Sequence, residues 1–299
     1  MGNVRPNVET DSSDRVREGR QSRLGELWRR LRSNKGAVLG LAIILLLTLM
    51  AVFAPFLAPY DPNKMNSGPR LSPPSWSYPL GTDNFGRDQL SRIIYGARIS
   101  LYVGFIAVGI GAVFGGFIGG IVGYYGGRID NILMRLMDVL LAVPQIILAI
   151  AIVGALGANL LNLMIAVGVS QIPRYARIVR ASALSVRGQE FVEAARAIGA
   201  SDLRIISENI LPNCMAPIIV QSTLGVAAAI LSAAALSFLG LGIQPPTAEW
   251  GSMLSLGRQY MRNAPHLTFF PGLVIAVVVL ALNLFGDGLR DALDPRLRQ

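Results

Sequence analysis

Residues 99–127 contain no Asp, Glu, Lys or Arg, and neither do residues 36–58. A helix that crosses the hydrocarbon core of a bilayer needs about 20 consecutive, mostly apolar residues. Blocks of this length without charge leave a soluble fold little room. Four more candidate spans follow: 132–156, a stretch from Leu160 that turns charged at Arg174, 216–242 and 267–287. The expected fold is therefore all-α, with six transmembrane helices. Only 15% of the residues are charged and 52% are hydrophobic, against about 25% charged in a typical soluble domain.

Six spans place both termini on one side of the membrane. The side follows from Lys and Arg, which accumulate in cytoplasmic loops. Nine precede the first span. Arg174, Arg177, Arg180, Arg187, Arg196 and Arg204 lie between spans four and five. Arg128, Arg135, Arg290, Arg296 and Arg298 fall on the same face. The opposite loops hold seven, from Lys64 to Arg262. Both termini are thus expected in the cytoplasm. This placement also accounts for the net charge of +9, so nucleic acid is not an expected partner.

The first block resembles a signal peptide, but about 35 residues precede it, and an uncleaved anchor is expected. Residues up to about 21 are polar and read as disordered. Leu24, Leu27, Trp28 and Leu31 then fall at i, i+3, i+4, i+7 with Arg29, Arg30 and Arg32 among them. That pattern predicts a short amphipathic helix lying on membrane lipid. The expected organisation is a cytoplasmic tail over 1–35 and a transmembrane domain over 36–299. The latter carries an outer loop at 59–98, a cytoplasmic loop at 180–215 and an outer segment at 243–266.

Catalytic chemistry has no foothold in the sequence. No G-x-x-x-x-G-K-[ST] loop is present, so ATP cannot be held in that way. No Ser-His-Asp or metalloprotease constellation occurs. His266 is the one histidine and Cys214 the one cysteine, which leaves no metal-ligand set and no intrachain disulfide. His266 is expected to be a polar cap at the membrane edge. The spans bury no unpaired charge at mid-depth, which argues against intrinsic ion coupling. The mid-span polar residues are amides. Gln145, Gln171 and Gln221 are candidates for lining a pathway, and Gln145, Gln171 and Asn283 suit interhelical hydrogen bonds equally. In the second span Gly111 and Gly115, and Gly119 and Gly123, stand four apart. Small residues at that spacing let a second helix approach closely.

The loop between spans four and five carries the strongest signal. Residues 190–198 are rich in Ala and Glu and favour helix. Gly199 can end that helix. Ser201 or Asp202 can cap a second, with Leu203, Ile205 and Ile206 offering an apolar side. Pro212 is expected to stop it before span five. The product is a compact cytoplasmic knob. The outer loop is rich in Pro, Gly, Asn and Asp and reads as turns.

Glu193-Ala194-Ala195, then Gly199, then Leu211-Pro212 resembles the "EAA" loop of ATP-binding-cassette importer permeases. One position departs: Asn209 stands where that pattern has an apolar residue. Gly81-Thr82-Asp83 with Gly86-Arg87-Asp88, and Tyr95 to Leu101, are similar to the outer signature of peptide-importer permeases. So are Ser237 to Gly242, Gln244-Pro245-Pro246, Glu249-Trp250-Gly251 and the ending Gly286 to Pro295. The pattern is nearest the C-type permease subunits of dipeptide and oligopeptide importers. Glutathione- and nickel-importer permeases share much of it.

The resemblance implies a type I importer permease fold in a bacterial inner membrane. It implies a non-catalytic subunit that forms half of a peptide pathway with a homologous B-type permease. Two partner ATPase subunits would bind ATP and Mg, and an extracytoplasmic binding protein would deliver the peptide. Glu193, Ala194, Ala195, Ala197, Gly199, Ala200, Ser201, Asp202, Leu203, Leu211 and Pro212 would dock on an ATPase subunit. Gly81, Thr82, Asp83, Gly86, Arg87, Asp88, Gln244, Pro245, Pro246, Glu249 and Trp250 would face the binding protein. A stand-alone channel or secondary transporter remains the competing class, and an intramembrane enzyme a more distant one.

Overall fold

The computed structural model describes residues 25, 26 and 28–293. Among these the regular structure is helical, apart from one isolated bridge between Thr82 and Asp88. The polar stretch before residue 21, Leu24, Leu27, Pro295, Arg296 and Arg298 lie outside the described residues. Residues 28–33 are helical as expected, with Leu31 buried and Trp28 exposed.

The first span is α1 (Lys35–Val52), followed by the short α2 (Ala54–Leu57). Asn34 caps α1, its Oδ1 accepting from the Ala37 N–H at 3.1 Å. The second is α3 (Gln89–Tyr125), which begins ten residues before the uncharged block. Its extra turns carry Arg92, a charge that the helix hides rather than shows. The helix starts there because Asp88 caps it, accepting from the Ser91 N–H at 2.7 Å.

The third expected span is not one helix. It divides into α4 (Gly127–Ala142) and α5 (Gln145–Leu156), bent by 91°. Pro144 has no N–H and disfavours helical backbone at the residue before it, and Val143 is extended at φ −85°, ψ 127°. The 12 residues of α5 reach about 18 Å at 1.5 Å per residue, short of the ~30 Å hydrocarbon core. Helix α4 is amphipathic, with Ile132, Leu136 and Val139 exposed on one side and Asp130 buried on the other.

Helix α6 (Leu160–Val186) runs straight through the charged stretch at Arg174 to Arg180, with Pro173 inside it. The loop after α6 therefore starts at 187, seven residues later than the sequence suggests. The loop contains α7 (Glu190–Ala197), α8 (Asp202–Ile205), a π-turn over Ile206–Ile210 and α9 (Leu211–Asn213). Then come α10 (Met215–Phe238), α11 (Trp250–Arg258) and α12 (His266–Leu293). The sequence did not reveal α11. By length and apolarity α1, α3, α10 and α12 can each cross a membrane, and the bent α4–α5 pair makes a fifth if counted as one broken span.

Helix α3 is the centre of the bundle, and α6 is its most extensive partner. The reason is the glycine stripe. A Cβ at Gly115 would stand 2.5 Å from the Ile172 carbonyl oxygen, one at Gly119 2.5 Å from the Ala176 oxygen, and one at Gly123 2.5 Å from the Ala183 Cβ. Backbone nears backbone over a little more than two turns, from Gly115 to Gly123. The adjacent face of α3 meets α10, where a Cβ at Gly104 would press on Ile230 at 2.8 Å. At the other side of the bundle α12 packs on α1, with Gly40 against the Ala281 carbonyl and Gly288 against Ala37.

Candidate functional site

The knob between α6 and α10 is built on a helix end. Glu190 and Glu193 lie in the first turn of α7 and Arg196 in the last, signs that suit the helix dipole. The end is a Schellman motif: the Gly199 N–H donates to the Arg196 oxygen at 3.0 Å and the Ala200 N–H to the Ala195 oxygen at 3.1 Å. Gly199 has φ +79°, and a Cβ there would meet nothing within 4 Å. Its backbone conformation, not crowding, demands glycine.

Ser201 occupies the cap of α8 in extended backbone, but its side chain makes no capping bond. Asp202 is engaged elsewhere: its Oδ1 accepts from the Tyr124 hydroxyl at 2.7 Å. Tyr124 and then Tyr125 hold the Asp202 carboxyl below the usual carboxylate range. Pro212 does not stop the chain's helical course. It sits in the first turn of α9, where its missing N–H costs little, just after the π-turn closed by Leu211 N–H to the Ile206 oxygen.

Val192, Ile205, Ile206, Ile210 and Cys214 are buried against Tyr124 of α3 and Val179 and Ala183 of α6. The opposite side of the knob faces out. Ile198 is 84% exposed and Leu203 64%. Glu193, Ala194, Ala197, Ser201 and Pro212 are exposed too, while Ala195, Ala200 and Leu211 are half-buried. The knob is thus fixed to the bundle on one side and offers apolar side chains on the other. Ile198 and Leu203 are thus two large apolar side chains left bare on the knob.

The outer residues behave differently. Asp83 is the hub of a buried network. Its Oδ1 accepts from the N–H groups of Phe85 at 2.8 Å and Arg87 at 2.9 Å, and its Oδ2 from Arg87 Nε at 2.6 Å. Arg92 Nε stands 3.8 Å away. Arg92 also donates through Nη1 to the Pro62 oxygen at 2.9 Å and the Pro246 oxygen at 3.2 Å. The Thr82 hydroxyl bonds the Pro69 carbonyl. Gly81 and Gly86 take φ +80° and +71° to make the turns.

His266 is no surface cap. It is buried, with Nε2 3.4 Å from the Thr82 oxygen.

Glu249 and Trp250 are also inside. The Glu249 carboxylate caps α11, accepting from the Gly251 and Ser252 N–H groups at 2.8 Å each. Burial pushes this carboxyl up, and those two N–H groups oppose the shift. The Trp250 indole donates to the Ile93 oxygen at 3.0 Å. Thr82, Asp83, Arg87, Asp88, Glu249 and Trp250 therefore hold the outer segment together, and their side chains are not on its surface. Gln244, Pro245 and Pro246 are exposed.

The three amides sit on three helices. Gln145 opens α5 at the bend, and Gln171 of α6 is wedged between Gly111 of α3 and Gly225 of α10. Both have a buried Nε2 without a hydrogen-bond partner. Gln221 is half-buried on α10.

Two ion pairs escaped the sequence reading. Asp130 of α4 takes Arg180 of α6 bidentately at 2.7 Å, and Asp138 takes Arg177 at 2.7 Å. The signal was two acids on one helix and two arginines three apart on another. Nothing in the spacing says that they meet.

The family described as "Binding-protein-dependent transport system inner membrane component" matches residues 111–299. The N-terminal TM domain of oligopeptide transport permease C matches residues 22–74. The chain is 48% identical over 283 residues to the di/tripeptide transport system permease protein DppC of Pseudomonas aeruginosa, covering 93% of each. It is 47% identical over 279 residues to the glutathione transport system permease protein GsiD of Escherichia coli, covering 91% of this chain and 90% of that one. Among solved structures, an inward-facing MetNI methionine ABC transporter chain superposes with a TM-score of 0.53 at 22% identity, over 69% of this chain and 97% of that chain.

Proposed function

The chain belongs to the binding-protein-dependent transport system inner membrane components, and from that premise we propose that it carries dipeptides as one of two permease subunits of an ATP-driven importer. The observation that carries this reading is the knob: a rigid projection, seated on α3 and α6, with Ile198 and Leu203 bare at its tip. An ATPase subunit in the cytoplasm is the partner that such a tip fits. The homologous permease would complete the pathway. A binding protein would dock outside at Gln244 to Pro246.

Six crossings with both termini in the cytoplasm complete the proposal, with α6 and the broken α4–α5 pair counted as spans. The 27 residues of α6 give about 40 Å of helix, enough to cross. Its arginines then lie at the inner end, where Asp130 and Asp138 meet two of them.

The mechanism follows from how the parts are held. Closure of the ATPase subunits moves the knob. The knob is packed on α3 and α6, so both helices move with it, and their glycine-lined contact carries them as one body. Such a body can rock against its surroundings and alternate the open side of the pathway.

Uptake of labelled dipeptide into cells that express the complete transporter tests the proposal. Uptake should vanish when the ATPase subunits are deleted, and excess unlabelled dipeptide should compete better than glutathione or nickel. Uptake that persists without the ATPase would return the stand-alone channel to first place.

A further inference from the structure

Tyr124 holds both arms of the knob with one side chain. Its hydroxyl donates to Asp202 of α8 at 2.7 Å. Its ring lies under the Arg196 guanidinium of α7, 5.5 Å from the centroid. Arg196 and Asp202 stand on either side of the Gly199 elbow. A charge-assisted hydrogen bond and a cation–π contact thus tie α7 and α8 to one side chain, and the neighbouring Tyr125 also acts on Asp202. Tyr124 stands in the last turn of α3. Beside it, a Cβ at Gly120 would reach Leu211 Cδ2 at 2.9 Å, so α3 also abuts the chain that leaves the knob.

The other end of α3 holds the outer segment just as firmly. Arg92 binds the carbonyls of Pro62 and Pro246, and the Ile93 carbonyl receives the Trp250 indole. Between these ends α3 runs for 37 residues without a proline, about 55 Å of continuous helix. Its C-terminal half is braced against the α6 backbone by Gly115, Gly119 and Gly123, with Gly111 against the side chains of Gln171 and Tyr175. Helix α10 also connects the two regions, but through the π-turn, Pro212 and the non-helical Cys214 (φ −92°, ψ 1°), where the backbone changes register. Helix α3 has no such joint.

We infer that α3 is a rigid link between the outer segment and the knob, and that Tyr124 is the positioning residue through which its cytoplasmic end grips Arg196 and Asp202. This rests on the reading of the knob as the ATPase-docking element. Occupancy outside would then be felt at the ATPase through α3, and loss of the Tyr124 hydroxyl would loosen the grip without touching the docking tip.

The test uses the whole transporter in liposomes, with partner permease, ATPase subunits and peptide-loaded binding protein. Tyr124→Phe keeps the ring and removes the hydroxyl. The expected result is unchanged co-purification of the ATPase subunits and unchanged basal ATP hydrolysis, with stimulation by loaded binding protein reduced roughly 3- to 10-fold. Asp202→Asn weakens the same bond from the other side, so the double variant should lose no more stimulation than the more affected single variant. Stimulation that stays within about twofold of the unmodified transporter, with the ATPase still bound, overturns the link and leaves the docking reading intact. Loss of ATPase co-purification in Tyr124→Phe also overturns it, because Tyr124 would then merely shape the docking surface. If the unmodified chain fails to bind the ATPase, the docking reading itself is wrong.

Discussion

Gly119→Leu sharply lowers the yield and thermal stability of the folded protein, whereas Gly109→Leu on the same helix leaves it intact. Both glycines belong to α3. A Cβ at Gly109 meets nothing within 4 Å, and one at Gly119 stands 2.5 Å from the Ala176 oxygen, 2.8 Å from Val179 Cβ and 3.0 Å from the Arg180 nitrogen. Two of those three atoms are backbone and cannot swing aside. Helix α6 must retreat, and it is held by Gly115 and Gly123 one turn away on each side. Overpacking a well-filled contact costs about 1–3 kcal/mol and sometimes more. Leucine adds four carbons here, so a cost upward of about 3 kcal/mol is expected, against a total stability of about 5–15 kcal/mol. Gly119→Ala should survive with a Tm lower by roughly 2–10 °C. Size-exclusion yield and thermal unfolding in detergent check all three variants. Equal yields for Gly119→Leu and Gly109→Leu would refute the close α3–α6 packing.

Leu203→Asp has the largest functional effect and almost no structural one. Leu203 is 64% exposed at the tip of the knob, so the chain alone loses no packing there, and stability should stay within about 0.5 kcal/mol. In a docked complex the same position would bury an unpaired carboxylate. Anchors at the centre of an interface contribute at least about 2 kcal/mol each, some far more, so ATPase affinity should fall roughly 30-fold or beyond. Peptide uptake and ATPase co-purification should fall together while Tm does not move. Ile198→Asp, at 84% exposure, should do the same. Uptake at the unmodified level in both variants would remove the tip from the docking surface.

What the sequence disclosed and what it withheld divide along a physical line. Local rules were legible. The i, i+4 glycines of the second span were visible as a packing stripe, and Gly199 as a helix end, because both depend on short-range geometry. Which helix the stripe meets was not visible, since that depends on α6. The bend in the third span was missed because hydropathy counts apolar residues and ignores where the axis turns. Pro144 stood in the middle of it, and the residue before a proline is biased away from helix. Pro212 was misread in the opposite sense, as a stop, where the π-turn before it lets the helical course continue.

At the candidate site the knob was legible in its elements but not in its attachment. The Tyr124–Asp202 bond joins residues 78 positions apart. The outer residues were placed on a docking face by the family resemblance alone, and Asp and Arg are rarely fully buried. Arg87 and Arg92 are only 1% exposed. Their partners at Asp83, Pro62 and Pro246 come together from three stretches of chain, and no spacing rule predicts that. The one local hint was that Asp83 and Arg87 are four apart.

Site-directed disulfide crosslinking tests the central claim most directly. Cysteine is placed at Ala197 or Ser201, both exposed, in a chain whose buried Cys214 has been replaced, and is probed against cysteines in the groove of the ATPase subunit. The knob reading predicts efficient crosslinks whose yield changes when nucleotide binds. An assembled, transporting complex with no crosslink anywhere along residues 190–211 would contradict it.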